Sequence, residues 1–163
     1  MPKRHRFGFL VQWQPRGQRL DTDLVDQEEI LKEFLRLAEK SSERMRLKGF
    51  ATNTISIKVR FADFSTITRS KTVDIPITST QEIFEVAKYL YLALKLDRRF
   101  IRLVAVSLDS LVENAGLQQM VLGQRNTGWK QADKAVDLIK AKFGRGSLRP
   151  ARLVESAEDN EED

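Results

Sequence analysis

Two short patterns are the first places to look for catalytic chemistry in this chain. Asp21 and Asp23 have the spacing of a metal-binding pair on a strand, and a two-metal nucleotidyl site needs such carboxylates. No third carboxylate stands in a comparable strand context, and acids ahead of a helix are favoured by its dipole in any case. Phe143-Gly144-Arg145-Gly146 is the second pattern, more simply read as a helix stop than as a phosphate cradle. The chain has no P-loop, no Gly-x-Ser-x-Gly turn and no His-x-x-x-His pair. Cysteine is absent and His5 is the single histidine. That excludes disulfide frameworks, thiolate zinc sites, iron–sulfur clusters, a Cys nucleophile and His-rich metal centres. No metal or cofactor is expected.

Binding chemistry is better represented. Thr54-Ile55-Ser56-Ile57-Lys58-Val59-Arg60-Phe61 alternates strictly, with Ile55, Ile57, Val59 and Phe61 on one face. Thr54, Ser56, Lys58 and Arg60 occupy the other, which makes a half-buried strand whose open face is polar and basic. Ser65-Thr66-Ile67-Thr68-Arg69-Ser70-Lys71-Thr72 is the densest run of hydroxyl and basic side chains. Arg, Lys, Ser and Thr on a sheet suit contacts to duplex phosphates. A reader of single strands would place aromatic rings there instead, and the best strand has none facing outward. The plain alternative is a solvated edge strand.

Charge points the same way. The 163 residues carry net charge +5. Residues 1–19 hold five bases and no acid, and residues 155–163 hold six acids and no base, so the body between them keeps a net +6. A basic body favours a polyanionic partner, and the acidic tail partly masks it. No apolar run approaches the roughly 18 residues of a membrane span, and Phe7–Val11 is too short for a signal peptide. A cytoplasmic location is expected.

The elements that must position these residues follow from periodicity. Residues 1–17 read as an irregular basic arm, and regular structure is expected from 18, with a first strand at 18–24. Asp26 with Glu29 forms a capping box, Ile30, Phe34, Leu37, Ala38 and Met45 recur at helical spacing, and Gly49 supplies a stop, which predicts a helix over 27–48. The strand at 54–61 is followed by a β-branched stretch, 63–75, that pairs with it. There Ile67, Val73 and Ile75 share parity with Arg69 and Lys71, so a bulge or strong twist is needed to keep both basic residues wet. Ser79 with Glu82 opens a second helix carrying Ile83, Val86, Ala87, Leu90 and Leu94. Phe100–Leu108 is a well-covered strand of unassigned parity, 110–128 is loop-like, and Trp129–Phe143 is a third helix closed by Gly144. The expected fold is α+β: a four-stranded antiparallel sheet in split β-α-β-β-α-β order, two helices on one face, a C-terminal helix and an acidic tail.

The block from Thr54 to Thr72 resembles the signature of the little finger domain of Y-family DNA polymerases, the DNA polymerase IV (DinB-type) translesion enzymes. Leu20-Asp21-Thr22-Asp23, Arg44-Met45-Arg46-Leu47-Lys48-Gly49, Ile101-Arg102-Leu103-Val104-Ala105-Val106-Ser107-Leu108 and Ala135 to Gly144 agree with it in order and spacing. The resemblance covers residues 18–154, with 18–110 as the DNA-binding domain, 111–154 as a C-terminal extension and 155–163 as a disordered acidic tail. It implies a monomer that grips primer–template or damaged duplex DNA through the phosphate backbone. The positions it assigns to that grip are Lys58, Arg60, Ser65, Thr66, Thr68, Arg69, Ser70, Lys71, Arg102 and Ser107.

The family's palm, fingers and thumb have no counterpart here, so no nucleotidyl transfer is expected of this chain. Residues 1–16 do not match the family's linker. The resemblance further implies a sliding-clamp peptide at Gln119-Met120-Val121-Leu122-Gly123, where Gln119, Met120 and Leu122 fit the polar-then-apolar pattern and Gly123 replaces the aromatic anchor. Loss of such an anchor weakens an interface hot spot. Clamp binding, or contact with another polymerase piece in trans, is the rival reading to DNA binding.

Overall fold

The computed structural model describes residues 9–13 (backbone and pairing), 27–96, 100–114, 128–144 and 146–148. In chain order these form β1 (Phe9–Trp13), α1 (Gln27–Leu47), β2 (Phe50–Phe61), β3 (Thr66–Ile77), α2 (Thr80–Leu92), β4 (Ile101–Glu113) and α3 (Trp129–Phe143).

The apolar stripe of α1 is buried as its periodicity predicts: Ile30, Phe34, Leu37, Ala38 and Met45 all face the core. Glu28 and Glu29 in the first turn and Arg44 and Arg46 in the last complement the helix dipole. Two serines lie in the same buried face because their hydroxyls are satisfied. Ser41 donates to the Leu37 carbonyl at 2.7 Å, and Ser42 shares a 2.7 Å hydrogen bond with Thr80. Gly49, at φ 73°, ends the helix where an L side chain would be strained, and the chain turns directly into β2.

β2, β3 and β4 form an antiparallel sheet with β2 in the middle, and β1 pairs along the other edge of β4, giving the order β1-β4-β2-β3. Ile55 lies opposite Leu108, Ile57 opposite Val106 and Val59 opposite Val104. These six side chains are buried beneath α1 and α2, where the Phe34 and Tyr91 rings meet at 5.3 Å between centroids. The α+β class and the helix-covered antiparallel sheet are as expected.

Three details differ. The strand expected at 18–24 lies outside the described residues, and the edge beside β4 is taken by Phe9–Trp13, inside the stretch expected to be an irregular arm. Its five residues include Phe, Val and Trp, which favour strands, but so short a run shows no period and its partner is β4, far along the chain. β4 also continues to Glu113, so 110–113 belong to the sheet and not to a loop. Ser110, at the expected start of the loop, does leave regular strand geometry at φ 50°, yet Thr52 pairs with Leu111 beyond it.

The third difference is where the irregularity in β3 falls. Thr52 pairs with Ile77 and Thr54 with Thr72, so 73–76 bulge out opposite Asn53, whose side-chain amide donates to the Val73 carbonyl at 2.9 Å. Pro76 is tolerated there because β3 is an edge strand. The bulge follows Arg69 and Lys71 and leaves their facing unchanged.

Candidate nucleic-acid interface

The register builds the open face in rows across β3, β2 and β4. Thr66, Arg60 and Leu103 form one row, and Thr68, Lys58 and Ala105 the next. Ser70, Ser56 and Ser107 follow, then Thr72, Thr54 and Asp109. Lys58 and Arg60 are half-exposed, and Thr66, Thr68, Ser70 and Thr72 are exposed. Arg60 Nε donates to Thr66 Oγ1 at 3.1 Å. Among the described residues neither Lys58 nor Arg60 forms an ion pair, so both charges remain available to an anion.

Arg102 joins this end of the sheet by a second irregularity. Arg60 pairs with Leu103 and Phe61 with Ile101, which leaves Arg102 unpaired and exposed. Its guanidinium stands 4.7 Å from the centre of the Phe64 ring. Phe64 occupies the β2–β3 turn at φ 65°, and Asp63 holds that turn by accepting from the Ser65 backbone N–H at 2.9 Å. Ser65 therefore belongs to the turn and not to the sheet.

Arg69 and Lys71 do not share a face with Lys58 and Arg60. They pair with Ile57 and Ile55, on the side covered by the helices. Both stay exposed because β3 is the edge strand and overhangs the helix layer. The Lys71 ammonium lies 4.6 Å above the ring of Tyr89 on α2, which confirms the side it occupies. The ten positions thus divide into an open-face group, a turn and a helix-side pair. Ser107 is on the open face, but its hydroxyl is engaged by Asp109, at 3.1 Å to each carboxylate oxygen.

Asp109 is absent from the residues singled out by sequence. Its parity with Ser107 is the signal that places it on the polar face, obscured by the expectation of a loop from 110. Asp21, Asp23, Gln119, Met120 and Leu122 lie outside the described residues.

On the opposite side, α3 is held by charge. Arg46 makes a bidentate pair with Asp137, at 2.7 and 3.0 Å, and also donates to the Thr78 carbonyl at 2.9 Å. Lys140 reaches Glu39 at 2.6 Å and Glu43 at 3.7 Å. Asp133 accepts from the Thr80 backbone N–H at 2.9 Å and so helps cap α2 from outside. Burial pushes the nearby Glu82 carboxyl above its ordinary value; Lys130 opposes the shift and Asp133 adds to it.

Comparison with known proteins places this arrangement. The description "impB/mucB/samB family C-terminal domain" matches residues 16–122. The chain belongs to that family. Its curated relatives include DNA polymerase IV 2 of Mesorhizobium japonicum, 36% identical over 133 residues, covering 73% of this chain and 32% of the relative. The chain therefore spans about a third of the length of such relatives. Among solved structures, a post-insertion binary complex of Dbh DNA polymerase shares the fold at TM-score 0.54 and 17% identity, covering 68% of this chain and 30% of that one. A little finger domain of PolIV, solved in complex with the beta-clamp processivity factor, matches over 72% of this chain and 100% of that one at TM-score 0.46 and 17% identity. No helix among the described residues is long and apolar enough to cross a membrane.

Proposed function

We propose that this chain is the little finger domain of a DNA polymerase IV, that it grips primer–template duplex DNA by its phosphate backbone, and that it performs no catalysis itself. The observation that carries the reading is the pair of unneutralised cations, Lys58 and Arg60, set on an open sheet face among hydroxyl rows. The position of Arg69 and Lys71 adds to it. The β2–β3 ribbon then carries basic side chains on both faces of its outer edge. A two-stranded ribbon fits the B-DNA major groove, about 12 Å wide, so such an edge meets phosphates on both walls. Arg102, beside the turn, extends the basic surface at its leading end.

The test uses paired variants. With about four to six phosphate contacts, log K should fall against log salt with a slope of about −4 to −5, and affinity should sit near 10⁻⁴ to 10⁻⁶ M. Lys58→Ala with Arg60→Ala, and separately Arg69→Ala with Lys71→Ala, should each flatten the slope by about 2. If only the first pair does so, the open face alone meets DNA. If neither does, the assignment of this sheet fails. Primer extension with metal and nucleotides by the purified chain would overturn the non-catalytic part. Clamp docking rests on Gln119, Met120 and Leu122, and clamp pull-down with Gln119→Ala against the native chain decides it.

A further inference from the structure

The basic face carries one acid that phosphate binding does not explain. Asp109 is half-buried opposite Thr54 and makes no ion pair among the described residues. Its carboxylate accepts from Ser56 Oγ at 3.3 Å and from Ser107 Oγ at 3.1 Å. A hydroxyl has one proton to donate. Ser56 and Ser107 direct theirs to Asp109, so toward an incoming phosphate they present lone pairs. In the same row Thr54 Oγ1 is bonded at 3.1 Å to both Thr72 Oγ1 and Ser110 Oγ. The left-handed φ of 50° at Ser110 turns that hydroxyl into the row, which a regular strand would point to the opposite face.

Successive residues on one face of a strand are about 7 Å apart. The Asp109 row therefore lies roughly 14 Å from the Lys58 row and roughly 20 Å from the Arg60 row. Both exceed the Debye length of about 8 Å at physiological salt, so the opposite charges do not cancel across the face. One end of the sheet is cationic, with Arg60, Lys58 and Arg102. The other is anionic, and its hydroxyls are already engaged.

We propose that Asp109 is a specificity-determining residue of the DNA interface, which ends the phosphate track and confines the backbone to the Lys58–Arg60 end of the sheet. This rests on the sheet-face reading above. Asp109 thereby sets where along the face the duplex lies, in addition to the cations that hold it.

The experiment is fluorescence anisotropy of the full chain with a labelled primer–template duplex between 50 and 200 mM salt. Asp109→Asn keeps an oxygen for the two serines and removes the charge; Asp109→Ser is the second variant should the first fail to fold. Binding should tighten about 3- to 10-fold at the lowest salt, and the slope should steepen by about one as a further phosphate comes within reach. Glu85→Gln, exposed on the helix layer, makes the same change in net charge and should alter affinity less than twofold. Equal tightening by both variants would overturn the proposal, because the effect would then be net charge alone. Salt-dependent binding by the native chain that Asp109→Asn leaves unchanged would also overturn it, with the sheet-face reading intact. Absence of salt-dependent duplex binding by the native chain removes both.

Discussion

Replacing Arg46 by alanine should release α3 while the rest of the domain stays folded. The Arg46 side chain is 12% exposed and gives Asp137 a bidentate contact at 2.7 and 3.0 Å. It also donates to the Thr78 carbonyl at 2.9 Å and lies 3.6 Å from Asp133. Breaking a fully buried pair by removing one partner costs about 3–5 kcal/mol. Asp137 is 20% exposed, so water recovers part of that loss, and about 2–3 kcal/mol is the reasonable figure here. The loss falls on α3 because that helix has little else: Lys140 is its only buried residue among those described, and that contact is also ionic. Core helices α1 and α2 keep their apolar burial. Hydrogen exchange is the assay. Amides of 129–143 should lose roughly 30- to 150-fold of their protection, while those of β2 and β4 change little. Arg46→Lys should fall between the two, since an ammonium cannot reproduce the planar fork. Native-like protection of α3 in Arg46→Ala would refute the claim that charge, and not apolar packing, docks this helix.

Other consequences are local. Ser79 is the N-cap of α2 and accepts from the Glu82 N–H, so Ser79→Ala should cost about 1 kcal/mol in chemical denaturation. Gly49→Ala places a side chain at φ 73° in open space, and strain alone should destabilise by about 1 kcal/mol. Glu82 has its pKa raised above its ordinary 4.5, chiefly by burial, and its Oε2 has no hydrogen-bond partner among the described residues. The native state therefore holds this proton more tightly than the unfolded chain, and the ionised group weakens folding above the raised pKa. Glu82→Gln should raise Tm at pH 7, and the advantage should shrink as pH falls toward the ordinary value; an advantage independent of pH would contradict the burial argument.

Much of this fold is legible because single residues carry several signals at once. Ser79 both caps α2 and stands three residues before Glu82, and Gly49 both stops α1 and starts β2. β2 is read from alternation because its two faces meet different surroundings. β4 resists the same treatment. Leu103 and Ala105 lie on the open face yet are buried almost as deeply as Val104 and Val106 on the other, so no period survives. The facing of Arg69 and Lys71 is a matter of cross-strand register, which β3 alone does not encode. The docking side of α3 follows a different logic. Asp133, Asp137 and Lys140 recur at helical spacing, and a polar stripe of that kind ordinarily marks the solvated side. Here it is the side turned to the protein, because Arg46, Glu39 and Glu43 on α1 supply the matching charges. Leu138 and Phe143 are left 72% and 68% exposed, the reverse of what amphipathicity implies.

The central claim is that the open face holds a duplex by its phosphates. Anisotropy of the native chain with a labelled primer–template duplex and with the corresponding single strand, each at 50 and 200 mM salt, tests it most directly. The expected result is tighter binding to the duplex, weakened by roughly 300- to 1,000-fold between the two salt concentrations. Equal affinity for both strands at low salt, or duplex binding insensitive to salt, would contradict it.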